Sequence, residues 1–261
     1  MPMVLHMVMV MIIAMVVSML SAAALVRADD AVPPAIGYSI VATYPHDASA
    51  FTQGLVYADG ALYESTGLHG RSSVRRVDLE SGAVQLIRRL PKRYFAEGLT
   101  AFDDRLIQLT WRAGVAFVYS RRDLHPVGEF RYTTAGWGLT QDGRQLIMSD
   151  GSATLYFLDA TNFTELRRLQ VHDEHGPVSL LNELEFVGGA IFANVWGSSR
   201  ILRIDAQSGR VTGFIDLSEL VARVRRDPST DVLNGIAYIP GSGRLLVTGK
   251  QWPTIYAIEL R

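Results

Sequence analysis

Ten polar and aromatic residues recur at matched places along this chain, and they are the ones whose types could do chemistry together. Gln53, Glu97, Trp137, Asn182 and Asn234 each stand at or before a Gly-Leu or an equivalent pair. Glu64, Trp111, Asp150, Trp196 and Lys250 each stand at or near the end of the next apolar run. A carboxylate such as Glu97, one ammonium and several amides among indoles suit a small amphipathic ligand. They do not suit a phosphate or a polymer backbone. Each residue also has a plain structural reading. An Asn or Gln before Gly is often only a turn or bulge residue, and a strand-end Trp more often packs between sheets. Asp150, in Ser149-Asp150-Gly151, reads as a turn residue, and Asn234 as a cap on its strand. What favours a site is that equivalent positions hold different side chains.

The elements that must position these residues form an internal repeat. Its copies begin at Gln53-Gly54-Leu55, Glu97-Gly98-Leu99, Trp137-Gly138-Leu139, Asn182-Glu183-Leu184 and Asn234-Gly235-Ile236. Positions 54, 98, 138, 183 and 235 are separated by 44, 40, 45 and 52 residues. Short strands punctuated by Gly, Asp and Asn at this period are the signature of propeller blades of four strands each. The fold class expected is all-β, a five-bladed β-propeller. After Lys250 only Thr254–Leu260 remains for the last blade, so Tyr38–Tyr44 is expected to supply its outer strand and close the ring. Closure removes the two unpaired sheet edges that an open ring would leave. The long last interval contains Leu217–Arg226, whose apolar spacing predicts one short helical insertion with Asp216 or Ser218 as N-cap.

Residues 3–26 are almost continuously apolar and are followed by Arg27-Ala28-Asp29-Asp30. Residues 1–28 read as an export signal, cleaved after Ala28 or retained as an anchor. Residues 29–36 read as a linker and 37–261 as the propeller domain, secreted or periplasmic. With 25 basic against 26 acidic residues there is no electrostatic footprint for nucleic acid, nor a polybasic membrane patch. The absence of cysteine excludes disulfides, thiolate nucleophiles and cysteine-ligated zinc. The six histidines show no zinc-ligand spacing.

Eight segments together resemble successive signatures of the plant and bacterial glutaminyl-peptide cyclotransferases. They are Phe51-Thr52-Gln53-Gly54-Leu55, Phe95-Ala96-Glu97-Gly98-Leu99-Thr100, Gln108-Leu109-Thr110-Trp111 and Gly136-Trp137-Gly138-Leu139-Thr140, then Leu181-Asn182-Glu183-Leu184-Glu185, Ala193-Asn194-Val195-Trp196, Val232-Leu233-Asn234-Gly235-Ile236-Ala237 and Val247-Thr248-Gly249-Lys250-Gln251-Trp252-Pro253. The resemblance implies a five-bladed propeller that cyclises N-terminal glutamine of peptides and proteins to pyroglutamate. It implies Glu97 as the catalytic carboxylate, with Asn182 and Lys250 binding the amide carbonyl oxygen. It implies Gln53, Phe51, Phe95, Trp111, Trp137 and Trp196 as pocket lining. No metal or other cofactor is expected, and the protein is expected to be a monomer.

Two other readings compete. Glu97, Asn182 and Asn234 could ring a divalent cation, as in propeller lactonases and esterases, although the Lys250 ammonium would repel the metal. A propeller can also serve as a binding platform without catalysis.

Overall fold

The computed structural model describes residues 32–261. Apart from a two-residue hairpin (His172–Asp173 with Gly176–Pro177), all strands fall into five four-stranded antiparallel sheets. Blade 1 runs through Thr52–Ala58, Ala61–Thr66, Ser73–Val77 and Val84–Arg89. Blade 2 runs through Ala96–Phe102, Arg105–Thr110, Val115–Ser120 and Pro126–Arg131. Blade 3 has Leu139–Gln141, Gln145–Ser149, Thr154–Asp159 and Glu165–Gln170, and blade 4 has Leu181–Val187, Ala190–Val195, Arg200–Asp205 and Val211–Asp216. Blade 5 is built from both ends of the domain. Leu233–Ile239, Arg244–Gly249 and Thr254–Leu260 are completed by Tyr38–Pro45, which pairs antiparallel with the last strand from Tyr38 opposite Leu260 to Pro45 opposite Thr254. The expected closure is therefore observed.

The apolar core lies between neighbouring blades, which explains why the inner strands are apolar on both faces. At the closing seam, Leu55, Leu62 and Val77 of blade 1 pack on Ala237, Leu246, Ile255 and Ala257 of blade 5. Equivalent clusters join the other blades in turn, such as Ile147 and Phe157 of blade 3 with Leu184, Ile191 and Ile204 of blade 4. Around the axis the inner strands come closer than a side chain allows. A Cβ on Gly138 would lie 1.9 Å from the carbonyl oxygen of Asn182, and one on Gly54 would lie 2.4 Å from the amide nitrogen of Leu99. At the equivalent place in blade 4 the chain has Glu183, which is fully buried. Its carboxyl accepts hydrogen bonds from the N–H groups of Leu55 (3.2 Å) and Ile236 (2.8 Å), across the axis and in the next blade. Burial, then the nearby Glu185 carboxyl, pushes the Glu183 carboxyl well above the usual range.

The helix covers Ser218–Val224, inside the expected Leu217–Arg226. Its N-cap is Leu217, which has no capping side chain, while the Asp216 carboxylate accepts the N–H of Ser218 (3.0 Å). Buried Leu220, Val221 and Val224 fix it against the core between blades 4 and 5. Of the segment read as a linker, residues 34–36 run alongside the outer strand of blade 4. Phe214 donates to the Pro34 carbonyl (3.1 Å) and Ile36 donates to the Phe214 carbonyl (2.7 Å). The segment read as an export signal, 1–28, lies outside the described residues, as do the first residues of the segment read as a linker.

Glu183→Ala would leave two buried N–H groups unpaired, each costing about 1–3 kcal/mol. Urea unfolding should show the loss of about 2–5 kcal/mol for this variant, and a clearly smaller loss for Glu183→Gln, which keeps an acceptor in place.

Candidate active site

The inner strands carry a register irregularity at the same place in four blades. It falls between Thr52 and Gly54, Ala96 and Leu99, Leu181 and Leu184, and Leu233 and Ile236. A bulge frees one residue from the ladder and re-aims its side chain. The residues so freed include Gln53, Glu97, Asn182 and Asn234. In blade 3 the ladder begins only at Leu139, and Trp137 is held just before it, its N–H on the Ser149 carbonyl (3.0 Å).

The consequence is one cavity of about 440 Å³ at one end of the propeller axis, lined by Phe51, Gln53, Phe95, Glu97, Trp111, Trp137, Asn182, Trp196 and Lys250. All nine residues expected at a site thus meet in one place, from all five blades. Gln53, Glu97, Asn182 and Lys250 are buried and form the polar floor, while the aromatic side chains are half-buried or, for Trp196, exposed at the rim. Phe51 meets Phe95 edge-on at 6.1 Å, Phe95 meets Trp111 at 5.8 Å, and Trp137 meets Trp196 edge-on at 6.5 Å. The Lys250 Nζ lies over the Phe51 ring, 4.8 Å from its centre. A larger depression of about 630 Å³ beside the helix, lined in part by Tyr38, Asp216 and Arg223, holds no comparable convergence of groups.

The electrostatics of the floor follow from burial. Desolvation pushes Glu97 well above the usual carboxylate range, and the Lys250 charge only partly offsets this. Desolvation likewise pulls Lys250 below the usual lysine value, against the charges of Glu97 and Asp231. The Asn182 Oδ1 is buried without a hydrogen-bond partner. Gln53 is oriented by Asn234, whose Nδ2 donates to the Thr52 carbonyl (3.0 Å) and to the Gln53 Oε1 (3.4 Å). Such a floor can exchange a proton, donate to an oxyanion and hold an amide, all inside an apolar wall.

The comparisons with known proteins agree with this geometry. Residues 10–260 match the glutamine cyclotransferase family. The chain belongs to that family. It is 43% identical to a glutaminyl-peptide cyclotransferase of Arabidopsis thaliana over 226 residues, covering 85% of this chain and 71% of the relative. Its fold matches the crystal structure of Myxococcus xanthus glutaminyl cyclase with a TM-score of 0.82 at 41% identity, covering 87% of this chain and 98% of that one.

The remaining repeat-matched residues are kept out of the cavity. Asp150 serves its turn, accepting from the Ser152 N–H (2.9 Å) and the Tyr156 hydroxyl (2.9 Å). Asn234 does not line the cavity and turns its Nδ2 to blade 1, while its Oδ1 is buried without a hydrogen-bond partner. Among the described residues no three His, Asp or Glu side chains converge as cation ligands. The fourth tryptophan, Trp252, is fully buried beneath the turn that carries Lys250, its Nε1 donating to the Asp231 carbonyl (2.9 Å). Glu64 belongs to a buried ionic cluster below the cavity.

Two supports were not visible in the repeat. The Tyr132 hydroxyl donates to the Thr110 carbonyl and accepts from the Thr110 N–H (2.9 Å), fixing the strand end before Trp111. Gly67 leaves room that Phe95 and Gln53 occupy, since a Cβ there would sit 2.6 Å from the Phe95 ring and 3.0 Å from the Gln53 Cγ. Gly67→Ala is therefore expected to keep the propeller, with an unchanged far-UV circular dichroism spectrum, while displacing both side chains. A crystal structure should show the narrowed cavity, and activity should fall by about 10–10²-fold, the scale of a misplacement near 1 Å.

Proposed function

We propose that this chain is a glutaminyl-peptide cyclotransferase, converting the N-terminal glutamine of peptides and proteins to pyroglutamate with release of ammonia. The observation that carries the reading is the buried Glu97 and Lys250, set among aromatic walls beside Gln53 and Asn182. Membership of the family and the names of its relatives support it.

In the reaction the α-amine nitrogen attacks the side-chain amide carbon of the same residue. The new carbon–nitrogen bond closes a five-membered ring, and the bond to the amide nitrogen breaks. Proximity is built into the substrate, so the site has only to select the curled conformer, a task for Phe51, Phe95, Trp111, Trp137 and Trp196. Two obstacles remain. An α-amine has an ordinary pKa of about 7.7–8.0 and must lose a proton to act as nucleophile, and amide nitrogen leaves only when protonated. The ring nitrogen sheds two protons in all: one passes to solvent as the free amine forms, and Glu97 accepts the other as the ring closes and delivers it to the departing nitrogen, which leaves as ammonia. Its raised affinity for a proton brings it closer to that of the amine, so the transfer is nearly balanced. Lys250 and the Asn182 amide donate to the carbonyl oxygen as negative charge develops on it. Gln53, fixed by Asn234, holds the substrate from the floor.

Metal plays no part in this scheme. Residues 1–28 are proposed as an export signal, cleaved after Ala28 or retained as an anchor, that makes the protein secreted or periplasmic, and N-terminal sequencing of the exported protein would locate any cleavage.

Ammonia release from a glutamine-initiated peptide tests the reading directly, with and without chelator. Glu97→Gln should lower kcat by about 10²–10⁴-fold, the scale of lost general acid–base catalysis, with its thermal transition intact. Near-wild-type turnover in that variant would refute the scheme. Lys250→Ala should lower kcat by about 10²–10³-fold; a change in KM alone would remove its oxyanion role.

A further inference from the structure

The ring is closed by an array of four charged groups, three of them buried and the fourth (Asp47) partly exposed, that the reaction above does not use. His46 follows the outer strand of blade 5, and its side chain is 1% exposed. Its Nδ1 lies 2.6 Å from the carbonyl oxygen of Trp252, and its Nε2 lies 3.0 Å from Glu64 Oε1. Glu64, on the second strand of blade 1, is also 1% exposed in its side chain. The same Oε1 accepts the Thr52 hydroxyl (2.7 Å), and Oε2 accepts from Arg75 Nε (2.9 Å), with the charged Nη2 in ion-pair contact at 2.8 Å. Arg75 in turn reaches Asp47 (2.8 Å). The hydroxyl of Thr248, from blade 5, stands 3.5 Å from Nδ1 and donates to the Thr254 carbonyl.

Proton counting fixes the state of the ring. A backbone carbonyl can only accept, so Nδ1 carries a proton. The Glu64 carboxyl, although burial alone would raise it, is held down chiefly by the Arg75 guanidinium, whose Nε donates to Oε2. It too can only accept, so Nε2 carries a proton as well. His46 is then an imidazolium, and the array contains two cations (His46, Arg75) and two anions (Glu64, Asp47). Burial alone would lower the affinity of the ring for its second proton, but the Glu64 charge and the bonds to Glu64 and Trp252 reverse the sign, and its pKa is raised above 6.5.

The groups so joined carry opposite sides of the cavity. Trp252 ends the turn that presents Lys250, and the next link of that turn, the Gln251 N–H, donates to the Ala50 carbonyl (2.6 Å). Thr52 stands between Phe51 and Gln53. We propose that His46 is a positioning residue: a buried imidazolium whose two N–H groups hold the Lys250 turn against the Phe51–Gln53 strand end across the closing seam. The proposal rests on the roles given above to Lys250 and Gln53. Loss of either ring proton sets a lone pair against the Trp252 carbonyl or the Glu64 carboxylate, and the two sides of the floor move apart. Because the folded-state pKa is raised, this contribution is complete below about 6.5 and is lost as pH rises through the folded-state value.

Nitrogen-15 NMR of the histidine rings, assigned with a His46→Gln spectrum or by sequential connectivity, tests the charge state without any activity assay. At pH 6.5 His46 should be mostly doubly protonated, whereas an ordinary exposed ring with pKa ~6.5 is half neutral. A singly protonated His46 at that pH would overturn the proposal. Its positioning role is read in turnover. His46→Gln should lower kcat about tenfold or more with a smaller change in KM, normalised to folded protein. Should that variant not fold, Thr52→Val removes one link of the array and Thr52→Ser restores it. Thr52→Val should lower kcat severalfold and Thr52→Ser should recover it. A Thr52→Val enzyme with wild-type kcat would overturn the positioning role while leaving the cyclase reading intact.

Discussion

The spacing between neighbouring inner strands is the constraint on which the rest of this structure depends. Five blades close a ring only if their innermost strands crowd the axis, and at Gly54 and Gly138 the backbone of one blade occupies the volume where a side chain of the next would be. Such contact leaves peptide groups facing an axis that water cannot fully reach, and each unmet donor would cost about 1–3 kcal/mol. The structure meets this partly with a carboxyl. Glu183 stands where blades 1, 2 and 3 have glycine and takes up N–H groups from two other blades. Asn194 does related work with one bond, its Oδ1 accepting the N–H of Gly235 (2.9 Å). The hub is thus held by backbone proximity and by a few polar side chains, while the apolar core sits further out, between the blades.

That geometry also makes the site. Strands packed this closely cannot keep a regular ladder to their ends, and the bulges release Gln53, Glu97, Asn182 and Asn234 where five strand ends converge. Three of the four turn into the cavity and the fourth braces one of them. The wider radius above the floor is filled by aromatic rings from the following loops and strand ends, which keep water from the carboxylate and the ammonium. Convergence therefore costs no dedicated scaffold: the same bulge that relieves the hub aims the chemistry.

How much of this was legible in the sequence depended on whether a residue repeats. The period of the Gly-Leu copies was enough for five blades, and the shortfall of strands after Lys250 was enough for closure by Tyr38–Tyr44, which the observed strand extends by one residue to Pro45. Both follow from counting strands. The nine cavity residues were reached by repeat position and by family resemblance, since matched places in a ring must converge. The repeat alone did not separate Asn182, which faces the cavity, from Asn234, which faces blade 1; only the direction of each side chain after its bulge distinguishes them. His46, Glu64 and Arg75 were harder still. They belong to the seam, which occurs once, and their partners are 206 and 18 residues away for His46 alone. Pairing of that kind leaves no period. Tyr132 likewise sits outside every copy of the motif.

The seam and the floor use burial in opposite ways. At the seam, opposite charges touch: Glu64 is in contact with both Arg75 and His46, and each group is driven firmly into its ionised form. On the floor, Glu97 and Lys250 feel each other's charge without forming a direct ion pair, and desolvation wins for both. Glu97 moves up and Lys250 moves down. A contact pair would have reversed those directions, fixing a carboxylate and an ammonium that neither give nor take a proton easily. Each pKa unit of such locking is worth about 1.4 kcal/mol, so a few units would erase much of what proton transfer can contribute. The absence of a contact pair keeps both groups close to exchange. A contact pair that holds its charge thus supports a separated pair that exchanges protons, and the closing seam is where the two meet.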